Sequence, residues 1–319
     1  MRQRSLPDRR CSMLVVLDEA ISGVDELREF AAYLSGASLH GLDVVVVDTS
    51  PWFAIEQNRR VLRWVSRYRA ATGAIDPVRA AIELARCEKV IVADALVRYD
   101  REALEAVCAL LDLHEVVEPE NYYEPLPWWG GIDAAGLLVR RGIGPPRERA
   151  ATFAFRKSAG AGLRGIGFLG EGCLCRLGWR GAEVFAASGV FVRRVPQKLQ
   201  QWFRDWTHRA ETELVTPPRA ALFCSIVPLA WLLAMFGGWR WLALYAVAIG
   251  LGSLAMAVRG RIGAGRYYPL RACLFAPLSV LERSISIYWA LLWTLSGDVE
   301  PALQPSRRPV ERRFRIIVR

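Results

Sequence analysis

Short apolar runs divide the first part of the chain. Residues 13–17 read Met-Leu-Val-Val-Leu, and residues 43–51 contain four consecutive valines between Asp and Asp-Thr-Ser-Pro. A third run covers 90–93, and a weaker strand-like piece covers 61–65. Continuous apolar runs of this length, bounded by polar residues, are typical of strands that are buried on both faces of a parallel sheet.

Helical spacing of apolar residues fills the segments between these runs. Leu27, Phe30, Ala31 and Leu34 predict a helix over 24–34, and similar stripes predict helices over 77–86 and 100–111. Short strands that alternate with helices indicate a wound, mixed α/β sheet.

Acidic residues follow three of the predicted strands. Asp18 and Glu19 come after the first, Asp48 after the second and Asp94 after the third. Ligands bind at the carboxyl ends of strands in wound sheets, so these carboxylates are candidate ligand-binding groups. For Asp48 an alternative is the cap of a following turn or helix.

Residues 120–131 are rich in aromatic side chains, proline and glycine. We expect an ordered loop here. Two interpretations remain open: a plug that packs over the sheet, or a wall of an acceptor pocket that includes Trp128.

The C-terminal third contains two uncharged apolar stretches, 220–236 and 241–258. Each reaches the lower end of the length needed to cross a hydrocarbon core of roughly 30 Å. Gly237 and Gly238 predict a tight turn between them, and Trp239 and Trp241 fit an interfacial belt. Basic residues follow, so we expect a membrane hairpin with both ends in the cytoplasm.

A third apolar segment, 270–295, contains Glu282 and Arg283 near its middle. An ion pair at the bilayer midplane is costly, so we expect an interfacial or re-entrant segment. The expected organisation is a basic tail (1–11), a cytosolic catalytic-type domain (12–215), a membrane region (216–296) and a second basic tail (297–319).

Charge supports this division. The net charge is +10, and residues 219–319 hold 13 Lys and Arg but only four Asp and Glu. Excess positive charge beside apolar spans follows the positive-inside rule. No basic helix or aromatic-basic stripe suggests nucleic-acid binding. The seven scattered cysteines fit buried thiols in a reducing compartment, and Cys173 and Cys175 make a poor zinc site.

Three short motifs carry a family resemblance. They are Asp94-Ala95-Leu96 after a strand, Gly170-Glu171-Gly172 in a later segment, and Gln201-Trp202-Phe203-Arg204-Asp205-Trp206 before the apolar third. With them the chain resembles membrane-bound inverting glycosyltransferases of family 2, which have the nucleotide-diphospho-sugar transferase (GT-A) fold. It is similar to bacterial members related to ceramide glucosyltransferases.

The resemblance assigns roles to residues. Asp94 would be the first carboxylate of a metal-binding Asp-x-Asp for Mg²⁺ or Mn²⁺, with Leu96 in place of the second. Glu171 would be the general base, although Gly172 replaces the Asp that follows it in the family; a solvated loop Glu is the alternative. Glu19 and Asp48 would bind the nucleoside.

Further positions follow from the same resemblance. Arg156 belongs to a basic pair on the donor side. Gln201 and Arg204 match Gln-x-x-Arg-Trp, with Trp206 displaced by one position, and would serve the diphosphate or acceptor side. Interfacial anchoring is an equal alternative for the tryptophans. Arg193 and Arg194 would contact either the donor or anionic lipid headgroups.

The resemblance implies a transferase in the bacterial cytoplasmic membrane, with its catalytic domain facing the cytoplasm. Its donor would be a nucleotide-diphospho-sugar, and its acceptor a lipid or lipid-linked hydroxyl. Because three motifs depart from the family pattern, a catalytically impaired subunit that assists a partner transferase is the main alternative. A membrane protein of another class, such as a transport component, is a third.

Overall fold

The computed structural model describes residues 11–17, 23–70, 77–144, 152–159, 184–203 and 217–296. The first elements are β1 (Cys11–Leu17), α1 (Val24–Leu39), β2 (Asp43–Asp48), α2 (Trp52–Val61), β3 (Tyr68–Ala70), α3 (Pro77–Leu84), β4 (Lys89–Asp94) and β5 (Val97–Arg98). They are followed by α4 (Arg101–Leu113), β6 (Val116–Tyr123), α5 (Trp128–Ile143), β7 (Phe153–Arg156) and β8 (Val184–Arg194). The C-terminal part contains α6 (Pro217–Leu232), a π-helical turn (Leu233–Gly237), α7 (Gly238–Gly260), α8 (Leu270–Cys273) and α9 (Ala276–Ser296).

The strands form one mixed sheet in the order β3-β2-β1-β4-β7-β6-β8-β5. β1 to β4 are parallel to one another, while β7 runs antiparallel to both β4 and β6. In register, Leu17 lies opposite Asp48 and Val16 lies opposite Asp94. The predicted wound α/β sheet is therefore confirmed, and β1, β2 and β4 end within one residue of each other.

Helices cover both faces of the sheet. On one face, α1 and α4 bury their predicted stripes, including Phe30 and Leu111. On the other, α3 buries Ala81 against the strands. Burial on both faces explains why the strands read as unbroken apolar runs. Asp100 caps α4 by accepting a hydrogen bond from the Ala103 amide at 2.7 Å.

Two sequence predictions were wrong. The strand expected at 61–65 is the end of α2 and a turn, and β3 follows at Tyr68–Ala70. Helix α2 could not be predicted from apolar spacing, because its one buried residue is the polar Asn58. The loop expected at 120–131 is largely strand and helix. Its first third, residues 120–123, is strand because β6 pairs in parallel with β8 through Tyr123.

The cysteines divide into two groups among the described residues. Cys87 and Cys273 have buried thiols, as expected, and Cys224 is half-buried. Cys11 and Cys108 instead form a disulfide, because β1 and α4 bring them together.

One helical segment of the described residues, Ala220–Gly260, is 41 residues long and apolar enough to cross a membrane; its most apolar 18-residue stretch has a mean hydropathy of 2.1. Within it, Gly238 has a φ of +73°, a conformation that favours glycine. The Tyr245 hydroxyl donates to the Ile226 carbonyl at 3.3 Å. The parts before and after Gly238 therefore lie side by side.

The end of α7 packs closely against α5. A Cβ atom at Gly142 would lie 2.0 Å from the Met256 carbonyl oxygen, and one at Gly260 would lie 1.9 Å from the Leu138 carbonyl oxygen. Small side chains line the same contact, including Ala135 and Ala257. The two helix backbones touch here, so only glycine fits at these positions.

The loop between α7 and α8 adds a second attachment. The Tyr267 ring stacks on Phe191 of β8 with centroids 4.1 Å apart, and the Tyr268 hydroxyl donates to the Asn121 carbonyl of β6 at 2.5 Å. The C-terminal segment is thus joined to the strands that border the candidate site.

Glu282 and Arg283, near the middle of segment 270–295, lie in α9. A Cβ atom at Gly136 of α5 would be 3.6 Å from Nε of Arg283, so this guanidinium packs against the protein. The contact places the charge of Arg283, which lies within an apolar segment, against protein atoms.

We expect Gly260→Ala to weaken the attachment of α7 to α5. The added methyl group meets a backbone carbonyl that cannot move aside, so the free energy of unfolding should fall by about 1–3 kcal/mol. Thermal unfolding of the full chain in detergent measures this as a lower Tm. Gly250→Ala on the same helix is the matched control, because nothing lies within 4 Å of a Cβ atom there. Equal Tm values for the two variants would contradict the close contact.

Candidate functional site

Asp94 ends β4 at the carboxyl edge of the sheet, and both of its carboxylate oxygens are engaged. Oδ1 accepts a hydrogen bond from the Leu96 amide at 2.8 Å. Oδ2 accepts one from Nη2 of Arg194 at 2.9 Å. The side chains of Asp94 and Arg194 are 29% and 21% exposed, so this ion pair is reachable from solvent.

Arg194 is held at this place by its strand. It pairs with Val97 of β5 on one side and Tyr123 of β6 on the other. The next amide, that of Val195, donates to the Leu96 carbonyl at 2.8 Å. The turn after Asp94 and the end of β8 are therefore joined through their backbones, which fixes the pair of side chains.

The second position of the Asp-x-Asp pattern does not supply a ligand. Leu96 is 7% exposed and Ala95 is fully buried. Among the described residues, no group of three or more His, Cys, Asp and Glu side chains is arranged to hold a metal ion. The single carboxylate of Asp94 already has a cationic partner. The donor set of the described residues does not fit a divalent cation, which prefers several oxygen ligands.

Asp48 lies at the end of β2 and is fully buried. Its carboxylate accepts hydrogen bonds from the Ser50 amide at 2.9 Å, from Nδ2 of Asn58 at 3.0 Å and from the hydroxyl of Tyr68. The pKa of Tyr68 is raised above its usual range, mainly by burial and secondly by the hydrogen bond to Asp48. Asp48 thus closes the turn into α2 and links α2 to β3.

Arg98 lies beside the turn after Asp94, where its Nη1 donates to the Ala95 carbonyl at 2.7 Å, and Arg193 lies opposite Arg98 in the β5–β8 ladder. The Arg98 guanidinium lies over the rings of Phe30 and Tyr33 of α1, at 4.9 and 5.1 Å from their centroids. Burial lowers the pKa of this guanidinium. Both arginines line a cavity of about 500 Å³. Because successive residues of a strand point to opposite faces, Arg193 and Arg194 face different sides of β8.

Arg156 does not join this site. It lies opposite Lys89, the first residue of β4, whereas Asp94 is the last. Five residues of strand separate the two positions, which is about 16 Å. The Arg156 guanidinium instead donates to the Leu111 carbonyl at 2.5 Å and to the Asp112 carbonyl at the end of α4.

The segment after β8 packs against α5. Nε1 of Trp129 donates to the Gln197 carbonyl at 3.3 Å. Nε1 of Trp202, on a helical turn at 199–203 that also contains Gln201, donates to Oδ2 of Asp133 at 2.8 Å. Trp202 is buried, while the Trp128 side chain is exposed at the start of α5.

Several predicted site residues lie outside the described part of the chain. They are Asp18, Glu19, Glu171, Arg204 and Trp206. Neither the pairing of Arg194 with Asp94 nor the bond from Trp202 to Asp133 is predictable from the sequence, because each joins residues that are far apart along the chain.

Comparisons with known proteins agree with this architecture. A mannosyltransferase from Pyrobaculum calidifontis, PcManGT, solved with GDP-Man and Mn²⁺, matches with a TM-score of 0.52 at 17% identity, over 88% of this chain and 87% of that one. TarS 1–349 from S. aureus, solved with UDP-GlcNAc, matches with a TM-score of 0.40 at 12% identity, over 90% and 92%. A 4-diphosphocytidyl-2C-methyl-D-erythritol synthase from Anaerococcus prevotii gives 0.36 at 10% identity, over 56% and 89%.

No family model and no curated protein sequence matches the chain. The mannosyltransferase match shows the fold alone, and the other two have TM-scores too low to support an argument. The described residues therefore have a GT-A-like fold, the fold of a nucleotide-sugar glycosyltransferase. These comparisons show neither a narrower family nor an activity for this chain.

We expect Asn58→Ala to destabilise the protein because it leaves the buried Asp48 carboxylate short of one hydrogen-bond donor. Loss of such a donor lowers the free energy of unfolding by about 1–3 kcal/mol. Thermal or denaturant unfolding measures the change. Glu56→Ala, an exposed position on the same helix, should change it by no more than about 0.5 kcal/mol. Similar values for both variants would argue against the Asp48 network.

Proposed function

We propose that this chain is a membrane-bound glycosyltransferase of family 2. It transfers a sugar from a nucleotide-diphospho-sugar to a hydroxyl of a lipid or lipid-linked acceptor, with inversion at the anomeric carbon. The observation that carries the proposal is the Asp94–Arg194 pair at the carboxyl edge of a GT-A-like sheet. Ligands bind at that edge in wound sheets.

The proposed reaction needs a base and a stabilised leaving group. Glu171 removes the proton of the acceptor hydroxyl, whose oxygen attacks the anomeric carbon. The bond from that carbon to the diphosphate breaks, and its electron pair leaves with the nucleoside diphosphate. Positive groups near the leaving oxygens lower the barrier because charge develops there. Glu19 remains a candidate for binding the nucleoside.

The acceptor side is proposed from the segment that follows β8. Gln201, Arg204 and Trp206 precede the apolar third in the sequence, and Trp128 is exposed at the start of α5. Aromatic side chains of this kind suit the boundary between water and lipid. These residues are the proposed contacts of a lipid acceptor.

The membrane arrangement is part of the same proposal. Residues 220–236 and 241–258 cross the bacterial cytoplasmic membrane as a hairpin, with the sheet domain on the cytoplasmic side. Support comes from the apolar length of Ala220–Gly260 and from Arg259, Arg261, Arg266 and Arg271 after it.

A second candidate function is a catalytically impaired subunit that keeps the fold and assists a partner transferase. One observation favours it: Leu96 is packed inside the protein, and both oxygens of Asp94 are engaged by the chain itself. This arrangement is stable without a donor.

Nucleoside diphosphate binding tests the proposal. We expect the full chain in detergent to bind UDP or GDP in a calorimetric titration, with or without Mn²⁺. Bovine serum albumin in the same detergent is the blank. Absence of a heat of binding in both conditions would overturn the proposed transferase function, because a transferase must bind its nucleotide donor.

Turnover separates the enzyme from the impaired subunit. With a panel of nucleotide sugars and a membrane lipid extract, wild-type protein should release nucleoside diphosphate. Glu171→Gln should lower turnover by about 10²–10⁴-fold and keep nucleotide binding, because only the base is lost. Glu102→Gln, on the exposed side of α4, is the control. Binding without turnover in the wild-type protein would favour the impaired subunit.

Cysteine labelling tests the hairpin. In intact bacterial cells a membrane-impermeant maleimide should label Trp239→Cys, at the start of α7, and spare Arg266→Cys, in the loop after α7. The wild-type chain gives the background from native cysteines. Labelling of both new cysteines, or of Arg266→Cys alone, would contradict the proposed topology.

A further inference from the structure

Leu96 stands where the Asp-x-Asp pattern would have its second carboxylate. Next to it, Arg194 contacts the first carboxylate, that of Asp94. The residue at that place, Leu96, has its carbonyl bonded to the Val195 amide and its amide bonded to Asp94. Val97 lies opposite Arg194 in the β5–β8 ladder. The guanidinium that meets Asp94 therefore comes from the strand directly across from the Asp-Ala-Leu turn.

The charge at this position matches that of a metal-bound site. Two aspartates with a divalent cation have a net charge of zero, and so does one aspartate with one arginine. The guanidinium carries five N–H donors in a planar fork and binds phosphate oxygens in bidentate fashion. Arg194 can therefore donate hydrogen bonds to a diphosphate at this edge and offset part of its negative charge, without a second carboxylate.

The backbone holds Arg194 in position for this task. Its residue lies between β5 and β6, and its carbonyl accepts a hydrogen bond from the Glu124 amide at 3.2 Å. A preorganised cation stabilises developing charge without reorganisation during the reaction. Asp94 holds the guanidinium in place before the donor arrives.

We propose that Arg194 takes the role of the divalent cation in this chain: it binds the donor diphosphate and stabilises the leaving group without a metal. The inference rests on the proposed function. As the bond between the anomeric carbon and the diphosphate oxygen breaks, its electron pair moves onto the diphosphate, and the Arg194 guanidinium stabilises the added charge. The acceptor proton goes to the base. Asp94, the partner of Arg194 in the free protein, competes with the diphosphate for the guanidinium.

This proposal makes a prediction opposite to that of a metal site. If Asp94 held a metal, Asp94→Ala would abolish binding of a nucleoside diphosphate. If Asp94 competes for Arg194, the same change removes a negative charge and leaves the affinity equal or higher. The sign of the Asp94→Ala effect therefore separates the two mechanisms.

The experiment is a calorimetric titration of the full chain in detergent with UDP and GDP, in EDTA and in Mn²⁺. We expect wild-type affinities in the two conditions to agree within about twofold, and Arg194→Ala to weaken binding at least about tenfold, which is ~1.4 kcal/mol. Arg101→Ala is the control: it removes the same charge from an exposed side chain that pairs with Glu105 on its own helix. Its effect should stay within about twofold.

Folding is checked separately by Tm and circular dichroism. If Arg194→Ala does not fold, Arg194→Lys retains the charge but loses the planar fork, so it should fold and bind more weakly than wild type. Asp94→Ala tests the proposal without altering Arg194.

Three outcomes overturn the inference. Wild-type binding that requires Mn²⁺ and disappears in Asp94→Ala would establish a metal site and leave the proposed function standing. Equal losses in Arg101→Ala and Arg194→Ala would indicate a general charge effect. Absence of binding by the wild-type chain in every condition would overturn the proposed function itself.

Discussion

The parallel register of β1 with β2 and β4 is the constraint on which the candidate site depends. Leu17 lies opposite Asp48 and Val16 opposite Asp94, so the carboxyl ends of these strands lie along one edge. The register is well determined because the strands are buried on both faces. If one strand shifted its register by one residue, each of its side chains would turn to the opposite face of the sheet and into the other core. Packing beneath the site therefore sets the positions of the acidic residues.

The two acidic residues have different environments at that edge. Asp48 is fully buried and accepts hydrogen bonds from the turn, from α2 and from β3, so it organises the protein around itself. Asp94 remains partly exposed and pairs with Arg194. The difference arises because α2 and β3 cover the end of β2, whereas β5 and β8 leave the end of β4 open on one side.

The C-terminal segment is attached to the same framework. The end of α7 touches α5 through Gly142 and Gly260, and Tyr267 and Tyr268 pack on β8 and β6. β8 also supplies Arg194. A segment with the apolar character of a membrane anchor thus contacts the strands that hold the candidate site. That arrangement suits a transferase whose acceptor is a lipid, as we propose.

The sequence alone determined the parts of the fold that carry local signals. Buried runs identified β1, β2 and β4, apolar stripes identified α1, α3 and α4, and Asp94 was located at a strand end. It did not reveal α2, whose side chains are mostly exposed, or the strand character of 120–123, which depends on pairing with β8. The Asp94–Arg194 pair joins residues 100 positions apart. Only the tertiary structure decides such a contact, because strand register across a sheet is set by packing and backbone pairing rather than by neighbouring residues.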